Sequence, residues 1–140
     1  MRTILIEPAR AADNWHILKS YIERALEHSV QETPLHEWLR RILNYQAQLW
    51  ATIDDNELIL GVGITQFLDY STHRTLHIVA VSGSDFIQHL TDAHLVLEKF
   101  AKENNCKAVE QWGRPGWTKI LPKIIPGYKV IYHVMRKELD

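Results

Sequence analysis

Eight histidines are the most conspicuous source of chemistry in this chain, and their spacing decides what kind. His73 and His77 stand four apart in or beside a stretch that reads as a strand, so they share a face at a distance rather than stacking. His89 and His94 are five apart on a helical stretch, about 140° around the axis at 3.6 residues per turn. Neither spacing matches a zinc pattern such as H-E-x-x-H, so no metal is expected. A single cysteine, Cys106, excludes an internal disulfide and a cysteine zinc site. A reactive thiol would also need an electropositive, accessible setting, which Lys107 alone does not supply. The run Trp112-Gly113-Arg114-Pro115-Gly116-Trp117 is more distinctive. Trp112, Arg114 and Trp117 on a glycine-flanked turn suit an anchor for a protein partner, since Trp and Arg dominate interface hot spots. The alternative is that both indoles close the core over the end of a sheet. Arg114, Lys119, Lys123 and Lys129 make the C-terminal third basic, suited to phosphates, to an acidic partner, or to a plain solvated face.

These residues need a scaffold, and composition bounds it. A chain of 140 residues fits one domain, residues 1–140. Sixteen Lys and Arg against seventeen Asp and Glu leave a net charge of −1, which argues against a nucleic-acid binder dependent on counterion release. With 46% apolar and 24% charged residues the chain reads as globular rather than disordered. The opening MRTILIEPAR has only a four-residue apolar run before Glu7 and Pro8, too short for a signal peptide. No segment approaches the ~18 apolar residues of a membrane span. A cytoplasmic protein with no membrane partner is expected.

The apolar periodicity alternates between strand and helix. Arg2 to Glu7 reads as a strand stopped by Pro8. Trp15, Leu18, Ile22 and Ala25 predict a helix from about Ala11 to His28, with Asp13 at its start. Thr33-Pro34 predicts the start of a second helix, with Leu35, Trp38, Leu39 and Ile42 as its buried stripe. Leu49 to Ile53 and Leu58 to Ile64 flank the turn cluster Asp54-Asp55-Asn56, a hairpin, and Thr75 to Val81 completes a meander. Gly61 and Gly63 leave one face of its middle strand thin, where a helix or a ligand can come close. Phe86, Leu90, Ala93, Leu97 and Phe100 predict the strongest helix, ending near Asn104-Asn105. Lys107 to Trp112, Trp117 to Leu121 and Tyr128 to Met135 read as strand, short helix and final strand. The order β-α-α-β-β-β-α-β-α-β implies an α/β chain (α+β, mixed sheet) with helices on both faces.

That order resembles the GCN5-related N-acetyltransferase (GNAT) fold over the whole chain. ILIEPARAADNW resembles the family's first strand and helix, LWATIDDNELILGVGI its second and third strands, and GRPGWTKILPKIIPGYKVIYHVMRKEL its last helix, Gly-aromatic turn and final strand. The GR-x-GW segment, the later Gly-Tyr and the terminal Lys-Glu-Leu also resemble small GNAT-like proteins of tailed bacteriophages. The resemblance implies acetyl-CoA as cofactor and an amine as acceptor. Val79 and Val81 would pair with the pantetheine arm, and the turn Ser82-Gly83-Ser84 would take the pyrophosphate. As bases to deprotonate the amine, the resemblance points to Glu110 and to His77, whose ordinary pKa near 6.5 suits the task.

Two departures stand out. The family's turn carries a Gln/Arg-x-x-Gly-x-Gly/Ala motif, whereas Val81-Ser82-Gly83-Ser84-Asp85 has one glycine and the S-x-x-D spacing of a capping box. The family's acid is a Tyr four residues before the Gly-aromatic turn, where this chain has Lys123. Tyr128 and Tyr132 lie beyond that turn, and Tyr132 could substitute. Two functions are therefore expected in competition. One is an N-acyltransferase working on an unknown amine. The other is a non-catalytic phage accessory or virion protein that binds a protein partner through Trp112, Arg114 and Trp117.

Overall fold

The structure, a computed structural model, describes residues 1–27, 32–83, 86–112 and 115–140. Five strands lie side by side in sequence order: β1 (Arg2–Ile6), β2 (Gln48–Ile53), β3 (Ile59–Asp69), β4 (Arg74–Gly83) and β5 (Cys106–Gln111). The first three pairings are antiparallel and β4 with β5 is parallel, so the sheet is mixed as expected. The β2–β3 hairpin turns where the sequence placed it. Asp54 Oδ1 accepts hydrogen bonds from the amides of Asn56 and Leu58, and Glu57 takes the left-handed conformation.

Helices α1 (Pro8–Asp13), α2 (Trp15–Leu26) and α3 (Leu35–Leu43) cover one face. Leu18, Ile22, Trp38 and Ile42 pack there against Leu49, Ala51 and Ile64 of the sheet. The long α4 (Phe86–Glu103) covers the other face, with Phe100 edge-on to Trp50 and stacked on Phe67. It ends at Asn105, which adopts the left-handed conformation that closes helices. The short α5 (Pro115–Ile124) extends this layer, with Leu121 and Ile125 packed on Leu90.

Several expectations need correcting. The first predicted helix is two helices, because Asn14 leaves helical geometry and its side-chain amide donates to the Arg10 carbonyl at 2.8 Å. Pro8 not only stops β1 but opens α1, where its missing amide costs nothing. Pro34 caps α3 rather than standing inside it. The predicted last strand, Tyr128 to Met135, does not form: the chain beyond α5 has no regular structure. Its apolar side chains, Val130, Ile131, Val134 and Met135, stay exposed. The alternation that reads as a strand finds no ladder, so pattern alone did not make one.

Candidate functional site

Strand β5 ends before its neighbour β4 does. Their pairing runs from Arg74↔Cys106 to Ile78↔Gln111 and stops. Strand β4 continues to Gly83 along β3 with a bulge: Ile64 faces Ala80 and Thr65 faces Ile78, which leaves Val79 as the extra residue. Beyond it, the outer edge of Val79–Gly83 has no strand beside it among the described residues. Such an edge presents backbone donors and acceptors to whatever enters the gap.

The predicted cofactor residues fall on this edge. Val79 packs toward α1–α3 and Val81 toward α4, as the bulge requires. Ser82 and Gly83 belong to the strand, opposite Val62 and Gly61, and not to a turn as the sequence suggested. The Ser82 hydroxyl donates to the Tyr21 carbonyl of α2 at 2.7 Å and is therefore not held as a helix cap. Ser84 and Asp85, and with them the predicted capping box, lie outside the described residues.

On the α3 side of the gap, register places His77 opposite Glu110. Trp112 lies over the His77 ring at 4.3 Å between centroids. Its indole N–H donates to Glu110 Oε2 at 3.1 Å, as does the Tyr70 hydroxyl, also at 3.1 Å. Burial, then Glu110, then Tyr132 push the Tyr70 phenol up to about 12, so Tyr132 reaches this cluster from the C-terminal segment. The structure thus brings together all three predicted catalytic residues, Glu110, His77 and Tyr132.

His77 itself is buried, and burial pulls its imidazole down to about 4 against the opposing charge of Glu110. Its tautomer follows from its neighbours. Arg41 can only donate, so it fixes Gln66 Oε1 toward itself at 3.5 Å and leaves Gln66 Nε2 to donate to His77 Nδ1 at 3.3 Å. The ring is neutral with its proton on Nε2, so its Nδ1 lone pair is already engaged. Of the predicted interface residues, Trp112 sits in this cluster while Trp117 packs with Leu90, Leu121 and Ile125 in the α4–α5 layer. Arg114 lies outside the described residues.

On the α4 side the gap opens into a cleft of about 70 Å³ lined by Ile78, Val81 and Gln111 of β4 and β5, by Leu121, and by Tyr128 and His94. These last two belong to an arrangement the sequence reading missed. His94 is 4% exposed, its Nδ1 lies 3.1 Å from Glu98 Oε2 and its Nε2 faces the Tyr128 hydroxyl. A carboxylate only accepts, so Nδ1 carries the proton and Nε2 faces the phenol, a carboxylate–imidazole–hydroxyl series ending at the cleft. Burial, with the Glu98 charge second, raises the Tyr128 phenol above its ordinary value, which keeps it protonated well into the alkaline range. The available signal was His94 and Glu98 four apart on one helix face. The histidines were weighed for metal spacing instead. Among the described residues, no three metal-ligating side chains come together.

No protein-family model matches the chain, and no curated protein is significantly similar to it in sequence. Solved structures do match along its whole length. It is similar to a probable acetyltransferase (TM-score 0.70, 11% identity, covering 100% of this chain and 98% of that one). It is also similar to an aminoglycoside acetyltransferase from an uncultured soil metagenomic sample, in complex with sisomicin (TM-score 0.70, 14% identity, 99% and 96% covered). Glucosamine-6-phosphate N-acetyltransferase from Arabidopsis thaliana is a third (TM-score 0.64, 14% identity, 99% and 98% covered). The five-stranded mixed sheet and the similarities together define the class: the chain has the GNAT acetyltransferase fold. At these identities the likeness extends to the fold and not to a substrate.

Proposed function

We propose that this protein is an N-acyltransferase that takes its acyl group from an acyl-CoA thioester and passes it to an amine. The observation that carries the reading is the run of β4 past the end of its pairing with β5 at Ile78 and Gln111, with Val79 bulged and the Val79–Gly83 edge open among the described residues. That edge suits the amides of a pantetheine arm, which would lie between it and the α4–α5 layer. His89, whose Nδ1 is buried without a partner among the described residues, stands in the cleft wall to meet a polar group of the arm. Helix α4 begins at Phe86, soon after β4 ends at Gly83, and free amides and the dipole at a helix start favour phosphate.

The chemistry divides between the two sides of the sheet. An amine entering on the α3 side meets Glu110, the one carboxylate of its cluster, and loses its proton there. His77 is a poorer base, being neutral, held to a pKa of about 4 and bonded at Nδ1. The amine nitrogen bonds to the carbonyl carbon, the carbon–sulfur bond breaks, and the electron pair leaves on sulfur. Tyr128, held by the Nε2 lone pair of His94, whose ring Glu98 orients, gives its proton to that thiolate and regains one from solvent, to which Glu110 releases the proton taken from the amine. Tyr128 takes the role the family resemblance assigns to a tyrosine on the last helix, from a position four residues past the end of α5.

Release of free thiol from acetyl-CoA, followed over a panel of primary amines, tests this. Tyr128→Phe should lower kcat about 100-fold with little change in the KM for the thioester, and Glu110→Gln should lower kcat similarly, within the range usual for lost acid or base catalysis. Wild-type protein that binds acetyl-CoA without releasing thiol to any amine would favour the non-catalytic, protein-binding alternative. The departure of the turn after Gly83 from the family motif is the observation that speaks for that alternative.

A further inference from the structure

Glu110 stands at the centre of a group whose exposed members are aromatic. Its Oε2 accepts both the Tyr70 hydroxyl and the Trp112 indole N–H, each at 3.1 Å, while Oε1 has no partner among the described residues. Tyr132 adds a third ring beside the Tyr70 hydroxyl. Trp112 is 59% exposed, Tyr132 58% and Tyr70 40%, a large aromatic surface to leave in water around one carboxylate. Three rings and a carboxylate are the groups that recognise a cation, through the ring quadrupoles and the charge together. Among the described residues no Lys or Arg is paired with Glu110. Of the arginines on the flanking elements, Arg41 is tied to Glu37 at 3.2 Å and Arg74 to Asp69 at 2.7 Å. His77, buried beside Trp112 and accepting the Gln66 amide at Nδ1, is neutral and does not oppose a cation.

We infer that this group is the acceptor subsite and that it selects an alkylammonium with no anion next to its nitrogen. In naming the acceptor it deepens the acyl-transfer reading and rests on it. The ammonium pairs with Glu110 Oε1, and its carbon stem lies against the rings of Trp112, Tyr70 and Tyr132. Loss of its proton to the same oxygen leaves the amine in place to react. A carboxylate on the adjoining carbon, as in an α-amino acid, would face the Glu110 charge with no cation to receive it, so such amines are rejected. Trp112 is thus a specificity-determining residue, through its ring rather than through a proton.

Amide resonances of the intact protein, with that of Glu110 as reporter, follow the binding of small probes in the absence of any thioester. The probes are n-butylammonium, its uncharged counterpart 1-butanol, and its α-carboxylated counterpart 2-aminopentanoate. The expected result is that butylammonium binds about tenfold tighter than either. Trp112→Leu keeps an apolar side chain at this exposed position but no ring, and should weaken butylammonium about fourfold, while Trp112→Phe restores most of the loss. Butanol or aminopentanoate binding as tightly as butylammonium, or no binding by any of the three, would overturn the inference, and thiol release to amines would still support acyl transfer. An affinity unchanged in Trp112→Leu would overturn the part given to the rings. Charge-selective binding without thiol release to any amine would keep the cation site and overturn the acyl-transfer reading.

Discussion

Tyr128 acquires its place from a partner 34 residues earlier, since His94 on α4 receives its hydroxyl only once the chain has turned at Gly127. Single side chains elsewhere also report on the arrangement. Because burial holds His77 near 4 in the folded protein against an ordinary value of 6.5, the unfolded chain binds the extra proton between those values. The stability this neutral imidazole contributes is therefore complete above pH 6.5 and is lost as pH falls toward about 4. Urea unfolding at pH 7 and pH 4.5 should show a smaller loss on acidification for His77→Gln than for wild type. An unchanged loss would mean that His77 is not held neutral. On the α4 face, Thr65 accepts the buried Trp50 indole N–H at 2.9 Å and donates to Gln48 Oε1 at 2.8 Å. Thr65→Val keeps the volume and strands both partners, so it should cost about 1–3 kcal/mol by equilibrium unfolding. A loss under about 0.5 kcal/mol would show that water replaces the hydroxyl.

At the scale of elements, what the sequence made legible follows a physical division. The meander, α3 and α4 were readable because each buries a continuous stripe, and burial decides where a periodic segment settles. The bulge at Val79 was not readable, since it depends on how β4 accommodates β3 and leaves no mark in residue type. The break at Asn14 had a signal in the short polar side chain, but the apolar spacing across it looked continuous. The C-terminal segment shows the reverse error. Tyr128 to Met135 alternates well enough to read as a strand, yet among the described residues nothing pairs with it. Its tie at Arg136 to Glu32 is an exposed ion pair of small value. Deleting residues 133–140 should therefore shift the melting temperature by less than about 4 °C. A fall of 10 °C or more would mean that this segment is a structural strand in solution. That Glu110 and His77 are neighbours was legible from sequence because their strands were placed correctly, whereas the Glu98–His94–Tyr128 series needed a contact between α4 and the chain beyond α5.

At the scale of the whole molecule, one sheet separates two chemical environments. The α3 side gathers Glu110, Tyr70, Trp112 and His77 around a polar opening, while the α4 side holds an apolar cleft ending at Tyr128. The GNAT fold accounts for the open edge of β4 but does not by itself assign an activity, because a fold hosts many functions. The central claim is that the open edge of β4 receives an acyl-CoA. Calorimetric titration of the purified protein with acetyl-CoA and with CoA, at two salt concentrations, tests it most directly. Micromolar binding that weakens with salt is predicted, since α4 would hold phosphates beside an apolar arm. No heat of binding up to millimolar ligand would contradict the account, and the open edge of β4 would then be a relic of the fold rather than a cofactor site.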